Sequence, residues 1–394
     1  MNRHEDTVLD VQDLSVRFFT NRGVVNAVEQ LHLEVRQGEV YGVVGESGSG
    51  KSVTALSIMD LIEEPGRIVD GEIWYRNESL AEEFYDREPD AVDGPFVDLL
   101  RVPSSVRRSL RGSSFSMIFQ DPMSSFDPTS TVGKQVAEAV EVQRRAASTS
   151  EGNWQPSQGY GLGDLLLGAV SPSHRFVTRE SRERAVELLD LVGIPDPIKQ
   201  AGEYPHQFSG GMLQRAMIAM ALAGEPDILI ADEPTTALDV TIQAQILRLL
   251  DQLREEQRMS VMLITHDLGV IARMCDRVGV MYAGEVVERG TLSDIFEDNV
   301  HPYTRGLLAS VPDLDRSDPI EPIPGNVPSL LDHEMERRCY FVDRCPNAME
   351  MCLEKPPEFN IGDGTEHQTR CYLAEHEYTE KRALATNEAG TAGE

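Results

Sequence analysis

The fold class is decided by the stretch Val40-Tyr41-Gly42-Val43-Val44-Gly45-Glu46-Ser47-Gly48-Ser49-Gly50-Lys51-Ser52. The apolar run at 40–44 predicts a buried strand, and apolar residues at helical spacing over 51–62 predict a helix directly after the loop. Glycines let consecutive backbone N–H groups converge on phosphate oxygens, and the start of the helix adds positive potential. Lys51 would reach the β- and γ-phosphates, and Ser52 would offer a hydroxyl to Mg²⁺. The stretch therefore predicts a nucleotide-phosphate site, with a plain glycine-rich turn as the alternative.

Two kinds of strand surround this loop. Alternating apolar and polar residues predict two half-buried, antiparallel strands around Leu14, Val16 and Phe18 and around Leu31, Leu33 and Val35. Continuous apolar runs at 228–231 and 261–264 predict fully buried strands, and a helical pattern fills 240–256 between them. Strands alternating with helices predict a parallel α/β core with an antiparallel β part.

The charge balance is strongly acidic. The 394 residues include 66 Asp and Glu but only 36 Lys and Arg, which gives a net charge of -30. General nucleic-acid binding is disfavoured, because phosphate backbones require a basic surface. The basic residues include only five lysines (Lys51, Lys134, Lys199, Lys355 and Lys381), and the others are arginine. An acidic, lysine-poor composition is typical of proteins that work in concentrated salt, so we expect a halophilic source; an ordinary acidic cytosolic protein is the alternative.

No membrane-spanning segment or signal peptide is predicted. No stretch approaches the ~18–20 apolar residues of a membrane-spanning helix, and the start, MNRHEDTVLD, lacks an apolar core. We therefore expect an intracellular protein whose membrane role, if any, comes through partners.

Two further motifs carry chemistry. The apolar strand at 228–231 ends in Asp232 and Glu233, carboxylates that can hold Mg²⁺ through water and polarise an attacking water. Ser209, Gly210 and Gly211 precede a helical run, and backbone amides at a helix start bind phosphate. Taken alone, the first motif equally fits an ordinary strand-to-loop junction, and the second fits a helix N-cap.

The order of the motifs resembles that of ABC ATPases over residues 7–290. The phosphate loop is followed by Phe119-Gln120-Asp121-Pro122-Met123, the Ser-Gly-Gly element, the Asp-Glu strand, Ala237-Leu238-Asp239 and Thr265-His266-Asp267. The resemblance implies a RecA-like α/β core with ATP and Mg²⁺ as ligands, an antiparallel β subdomain and a helical signature subdomain at about 126–223.

The resemblance also implies roles for single residues. Gly45, Glu46, Ser47, Gly48, Ser49, Gly50, Lys51, Ser52, Gln120 and Asp232 would bind the nucleotide, with Ser52 and Gln120 at Mg²⁺. Phe18 would stack on adenine, although Phe19 competes for that position. Glu233 would be the catalytic base and His266 would contact the γ-phosphate. Ser209, Gly210, Gly211 and Asp239 would serve the ATP of an opposing subunit.

Other residues resemble one ATPase subunit of oligopeptide and dipeptide importers, the D-type subunit. These are the segment 230–245, His301-Pro302-Tyr303-Thr304, Ile323-Pro324-Gly325 and the cysteine-bearing C-terminal region. The signature departs from the general pattern at Phe208 and Met212, a variant common in such importers. The resemblance implies a peripheral subunit on the cytoplasmic face of the membrane, paired with a different ABC ATPase under two permease subunits and fed by an extracellular solute-binding protein.

Alternatives to peptide import stay open at this point. Nickel, glutathione or oligosaccharides could be the solute, because the permease and binding protein select it. A soluble ABC ATPase of repair or translation, disfavoured by the acidic surface and the C-terminal region, is a second alternative. A regulatory subunit without turnover is a third, and it is disfavoured by Glu233 and His266.

We predict an ATPase domain at 7–300, a C-terminal module at 301–378 and a disordered tail at 379–394. Two segments look like insertions. Residues 78–98 are acidic and rich in turn residues, and residues 146–174 are rich in serine, glycine and proline. We expect both to be mobile surface loops. Residues 311–328 read as a linker rich in aspartate and proline.

The C-terminal module contains Cys339, Cys345, Cys352 and Cys371, in a C-x5-C-x6-C-x18-C spacing. A module too small for its own core is typically held by a metal, and a reducing compartment disfavours disulfides. The C-x2-C pair common in zinc and ferredoxin sites is absent, so spacing alone selects neither zinc nor an iron–sulfur cluster, and chance clustering is a further alternative. The resemblance implies a [4Fe–4S] cluster, with zinc as the alternative. Cys275 lies far upstream and is expected to be a small buried residue.

Overall fold

A computed structural model describes residues 3–150, 177–236, 238–310, 323–331, 337–362 and 366–375, with backbone only at 145–150. The chain divides into two compact units, one formed by Met1–Val102 and Met262–Glu394 and the other by Pro103–Val261.

The helices are α1 (Lys51–Ile58), α2 (Glu78–Phe84), α3 (Ser104–Leu110), α4 (Pro122–Ser125), α5 (Val132–Ser150), α6 (Arg179–Leu191), α7 (Pro197–Gln200), α8 (Gly210–Ala221), α9 (Val240–Gln257), α10 (Leu268–Met274), α11 (Leu292–Glu297) and α12 (Pro302–Ala309). The strands are β1 (Thr7–Thr20), β2 (Gly23–Arg36), β3 (Val40–Val44), β4 (Gly66–Arg76), β5 (Val92–Asp93), β6 (Phe96–Asp98), β7 (Phe115–Ile118), β8 (Ile228–Asp232), β9 (Ser260–Thr265), β10 (Arg277–Tyr282), β11 (Glu285–Thr291), β12 (Phe359–Asn360) and β13 (Gln368–Thr369).

The first unit contains an antiparallel sheet in the order β2-β1-β4-β6-β5. Its long hairpin, β1 with β2, confirms the two strands predicted from alternation, and Leu14 lies opposite Leu31 in the register. Both side chains are fully buried, as expected for the apolar positions of a strand with one dry face.

The same unit contains strands of a mixed sheet, in the order β12-β13-β11-β10-β3 with β9 next to β3. Strand β3 runs parallel to β10, whereas β10 and β11 form an antiparallel hairpin. All five residues of β3 are buried, which is typical of a strand covered on both faces. The helix after the phosphate loop begins at Lys51 as predicted and ends at Ile58, before the predicted end at residue 62.

The prediction of a mobile loop over residues 78–98 was wrong. The segment forms α2 and the short hairpin of β5 and β6, which continues the sheet along β4. Phe84, Phe96 and Val97 are buried, and Asn77 caps α2 by accepting a hydrogen bond from the Leu80 N–H. The few apolar residues of this segment are outnumbered by acidic and turn-forming residues, so its composition does not indicate that it is ordered.

In the second unit, β7 and β8 pair in parallel, with Phe115 opposite Ile228. Helices α5, α6 and α8 pack against one another. Strand β8 and helix α9 lie within two residues of the bounds predicted from the sequence, and so does β9, most of which belongs to the first unit. Of the predicted insertion at 146–174, residues 151–174 lie outside the described part of the chain, as do most of the predicted linker and the whole predicted tail.

Candidate functional site

The phosphate loop connects β3 to α1 and is packed tightly against the backbone of β10 and β2. A Cβ atom at Gly45 would lie 2.0 Å from the Met281 carbonyl oxygen, and one at Gly50 would lie 2.5 Å from the Ala27 carbonyl oxygen. Gly50 also has a φ of 100°, which side chains disfavour. Both glycines are therefore required by the backbone path of the loop.

Lys51 is buried and folds back over the loop. Its ammonium group donates hydrogen bonds to the carbonyl oxygens of Gly45 (2.7 Å) and Glu46 (2.9 Å). Ser52, the next residue, is exposed at the start of α1. A positive charge and a hydroxyl thus occupy the loop and helix start at which a phosphate would bind.

Glu46 has further partners that the sequence did not reveal. Its carboxylate accepts two hydrogen bonds from the Arg344 guanidinium, and its backbone N–H donates to the Tyr303 hydroxyl oxygen. These partners lie 298 and 257 residues away along the chain, beyond the reach of any local pattern.

The acidic end of β8 has a defined geometry within the second unit. Glu233 follows the strand with a positive φ of 48°. One oxygen of its carboxylate accepts hydrogen bonds from the Gln120 amide at 2.7 Å and from the Thr236 hydroxyl at 2.9 Å. Gln120 and Glu233, predicted separately as site residues, are thus in direct contact. A strained backbone and two donors fix the carboxylate at the strand end.

Asp232 is the last residue of β8 and is buried, in contrast to half-buried Glu233. The adjacent carboxylates therefore differ in their access to solvent.

The Ser-Gly-Gly element begins α8. Ser209 caps this helix by accepting a hydrogen bond from the Met212 N–H at 3.3 Å, so the N-cap interpretation holds for its side chain. Asp239 caps α9 in the same way, accepting from the N–H groups of Thr241 and Ile242, both at 3.0 Å. Ser209, Gly210 and Asp239 are exposed, so these helix starts are open to a ligand or a partner. Ala237 lies outside the described residues.

Phe18 and His266 belong to the first unit. Phe18 is half-buried, and its ring packs against Gly66, where a Cβ atom would lie 2.6 Å from the ring. Phe19 is 48 % exposed, with the Arg67 guanidinium 5.9 Å from its ring centre. His266 is exposed directly after β9, and the following Asp267 caps α10 by accepting from the Gly269 N–H at 2.8 Å.

The four C-terminal cysteines line one cavity. Cys339, Cys345, Cys352 and Cys371 surround it together with His301, Phe341 and Tyr372. The cavity is small, with a volume of about 10 Å³. A hydrogen bond from the Cys339 N–H to the Cys352 carbonyl oxygen, at 3.0 Å, joins two of the segments. All four C-terminal cysteines therefore line the same cavity.

Burial raises the pKa of Cys339 and of Cys371 to about 12 each, and the neighbouring cysteines add to the rise. Such thiols stay protonated unless a metal replaces the proton. Within the described residues, no group of three or more His, Cys, Asp or Glu side chains is arranged to hold a metal ion. Cys275 is buried beside Gly42 in the first unit, and burial raises its pKa strongly. Cys275 is thus a small buried residue, as the sequence predicted.

Comparison with known families gives two matches. Residues 28–236 match the ABC transporter family, and residues 287–352 match the C-terminal region of oligopeptide and dipeptide transporters. Among curated relatives, a probable peptide ABC transporter ATP-binding protein of Sinorhizobium fredii is 44% identical and aligns over 90% of this chain and 92% of its own. The dipeptide transport ATP-binding protein DppD of Bacillus subtilis is 43% identical over 94% of this chain and 97% of its own.

The DppD protein of Escherichia coli is 40% identical over 93% of this chain and 96% of its own. Among solved structures, a dimeric bacterial ABC transporter cassette is similar with a TM-score of 0.51 and 25% identity, over 72% of this chain and 98% of that one. This similarity supports the predicted fold class. Across the part of the chain that is described, no helix is long and apolar enough to cross a membrane.

Proposed function

Since the chain belongs to the ABC transporter ATP-binding proteins of the dipeptide and oligopeptide importer type, we propose that it hydrolyses ATP to drive peptide uptake through a membrane permease. The observation that carries this proposal is the combination of an intact phosphate loop with a carboxylate held at the end of β8. The phosphate loop supplies the residue types needed to bind ATP, and the carboxylate supplies the type needed to hydrolyse it.

We assign the nucleotide's phosphates to the loop 45–52, with Lys51 at the β- and γ-phosphates and Ser52 and Gln120 at Mg²⁺. Magnesium, when bound, would neutralise charge that develops on the phosphates. Glu233 would activate the attacking water, and its hydrogen bonds to Gln120 and Thr236 support this role because they orient the carboxylate. From the family resemblance we propose that Phe18 stacks on adenine and that His266 contacts the γ-phosphate.

Turnover can be tested with one charge removed. Glu233→Gln should bind ATP with nearly wild-type affinity and lose hydrolysis, because the amide keeps the shape of the side chain but cannot accept a proton. Glu225→Gln is the matched control, since Glu225 also has a positive φ, of 53°, in the same unit. Its exposed ion pair with Arg184 contributes little, so its activity should be unchanged. Wild-type hydrolysis by Glu233→Gln would overturn the assignment.

We further propose that the chain works on the cytoplasmic face of the membrane beside a second, different ABC ATPase. Two permease subunits and an extracellular solute-binding protein would complete the importer. The exposed Ser209, Gly210 and Asp239 support a role toward the partner's ATP, because they offer helix starts to solvent. The purified chain alone should then show weak or no ATPase activity. Full, cooperative activity of the monomer at low concentration would contradict this arrangement.

The imported solute is proposed to be a di- or oligopeptide. Uptake of labelled di- and oligopeptides by a strain that lacks this chain should be lost and should return with the wild-type gene but not with Glu233→Gln. Uptake of nickel, glutathione and oligosaccharides should be unaffected. Normal peptide uptake together with loss of one of these solutes would reassign the importer while leaving the ATPase role intact.

For the C-terminal module we propose a [4Fe–4S] cluster held by Cys339, Cys345, Cys352 and Cys371. The residues fit such a group, because four buried or half-buried thiols line one cavity and Cys₄ ligation is the usual set for this cluster. The cluster would staple the module. Zinc on the same four cysteines is the alternative.

Metal content tests this assignment. Anaerobically purified protein should be brown, with about four iron atoms per chain. Replacement of any one of the four cysteines by serine should bleach it, whereas Cys275→Ser should leave the colour, because Cys275 is remote in sequence and buried beside Gly42. Stoichiometric zinc without iron would overturn the cluster and keep the four ligands.

A further inference from the structure

Arg344 connects the C-terminal module to the phosphate loop inside the first unit. Its two terminal nitrogens donate to the two carboxylate oxygens of Glu46 at 2.8 and 3.1 Å. Its side chain is only 6% exposed, and that of Glu46 is 27% exposed. A bidentate arginine–carboxylate pair that is largely removed from water is among the stronger polar contacts in proteins. Glu46 is the second residue of the phosphate loop.

The rest of the guanidinium is also fixed. Its Nε donates to the Pro324 carbonyl oxygen at 2.9 Å, and one terminal nitrogen donates to the Tyr282 hydroxyl oxygen at 3.3 Å. Pro324 belongs to the Ile323-Pro324-Gly325 motif, whose purpose the nucleotide site alone does not explain. The motif supplies a carbonyl oxygen that orients the arginine toward Glu46.

A second contact reaches the same loop residue. The Tyr303 hydroxyl oxygen accepts a hydrogen bond from the Glu46 N–H at 2.9 Å. Tyr303 comes from the His301-Pro302-Tyr303-Thr304 motif and is fully buried, with its ring 4.6 Å from that of Tyr282 and 5.5 Å from that of Phe341. Both the side chain and the backbone of Glu46 are therefore held by residues that lie after the nucleotide motifs in the sequence.

The other end of this connection is the cysteine-lined cavity. Arg344 immediately precedes Cys345 and ends a short 3₁₀ helix, Val342–Arg344, that lies between Cys339 and Cys345. The Val342 N–H donates to the Cys339 carbonyl oxygen, and the Cys345 N–H donates to the Val342 carbonyl oxygen. Phe341 and His301 line the cavity, and Phe341 is part of the ring cluster with Tyr303. Cys339 and Cys345 therefore belong to the same hydrogen-bonded backbone segment as Arg344.

We propose that Arg344 is a positioning residue that ties the conformation of the phosphate loop, and so the affinity for nucleotide, to the state of the cysteine-lined cavity. The inference rests on the proposed ATPase function and goes beyond it, because it gives the C-terminal module a regulatory connection to the nucleotide site. Arg344 acts through Glu46 and has no contact with the nucleotide in this proposal. Loss of order around Cys345 would release Glu46 and allow the loop to sample conformations that bind phosphate poorly.

The first test measures nucleotide affinity. Arg344→Ala should raise the Kd for a fluorescent ATP analogue by roughly three- to tenfold, because the buried charge pair at Glu46 is lost. At saturating ATP, kcat should change little. A merely structural role would lower the active fraction and leave Kd unchanged. Arg344→Lys should also raise the Kd, because lysine keeps the charge but cannot form the two-point contact.

Arg338→Ala is the matched control for this test. Arg338 forms a similar two-point pair with Asp343, at 3.1 and 2.9 Å, in the same module. Its nucleotide Kd should equal that of the wild type. Wild-type affinity in both Arg344→Ala and Arg344→Lys would overturn the proposal.

The second test asks whether the cavity and the loop are coupled. Cys345→Ser should raise the nucleotide Kd as Arg344→Ala does, and the double variant should lose no more than the larger single effect. Loss of iron from Cys345→Ser with an unchanged Kd would overturn the coupling. A wild-type protein without metal would refute the proposed cluster only, since the Arg344 comparison would still decide this inference. Absence of ATP hydrolysis in the assembled importer would refute the proposed function instead, because the binding assay needs no turnover.

Discussion

Removing one hydrogen bond to the proposed catalytic base should slow ATP hydrolysis by a predictable amount. Glu233 is held by the Gln120 amide at 2.7 Å and the Thr236 hydroxyl at 2.9 Å. In Thr236→Val the second donor is absent while the branched shape is kept. A hydrogen bond to a charged group contributes about 1.5–3 kcal/mol when it is shielded from water.

Here Glu233 and Thr236 are half-buried and Gln120 is exposed, so water can replace part of the loss. We expect a cost of about 0.5–1.5 kcal/mol in the transition state, which corresponds to a ~2–10-fold fall in kcat. The assay is steady-state ATP hydrolysis by the assembled complex, with the nucleotide Kd measured separately. Kd should be unchanged, because the substitution removes a hydrogen bond to the proposed base and leaves the residues of the phosphate loop as they are.

Thr236→Ser supplies the control, since serine restores the hydroxyl and should recover most of the rate. The reasoning would be refuted if Thr236→Val hydrolysed ATP at the wild-type rate. It would equally be refuted if serine and valine slowed the reaction to the same extent, because the effect would then come from packing and not from the hydrogen bond.

Three further outcomes are expected. Lys51→Ala should lose nucleotide affinity in an equilibrium titration, because the loop loses its buried cation; unchanged binding would contradict the phosphate assignment. With a net charge of -30, association with the partner ATPase should strengthen as salt is added, and a complex that tightens steadily as salt is removed would contradict the predicted salt adaptation. Burial lowers the pKa of His301 to about 4 from 6.5, opposed by Glu288, so the native state disfavours the protonated ring. The neutral, buried His301 ring should therefore contribute fully to the free energy of unfolding above about pH 6.5. This contribution, up to ~3 kcal/mol, should be lost as the pH falls toward about 4. Denaturation midpoints of His301→Gln should lack that part of the pH dependence, and an unaltered profile would refute the assignment.

Local patterns predicted the parts of the fold that depend on local chemistry. The buried strand β3, the start of α1 and the strand β8 ending in Asp232 follow from apolar runs and from the glycines that separate them. Gly45 and Gly50 were predicted from the motif, and the structure gives the steric reason for each. A short, continuous apolar run bounded by glycine or polar residues is the pattern expected of a strand that is covered on both faces.

Contacts between distant segments could not be predicted in this way. Nothing local to Glu46 indicates that Arg344 will hold it, and nothing local to Gln120 indicates its contact with Glu233. The segment 78–98 was wrongly predicted to be a mobile loop, because its overall composition is acidic and does not show the positions of single apolar residues. A few buried residues, among them Phe84 and Phe96, are enough to order it.

The hairpin of β5 and β6 also has a consequence for solubility. Without it, the end of β4 from Trp74 to Arg76 would present unpaired backbone groups at the border of the sheet, where another chain could add a strand. The hairpin covers that border and ends in a strand of only two residues, Val92 and Asp93, one of them acidic. Short, charged border strands resist intermolecular pairing. A chain in which residues 78–98 are replaced by a tight turn would therefore aggregate in proportion to its concentration, even if its nucleotide site were intact.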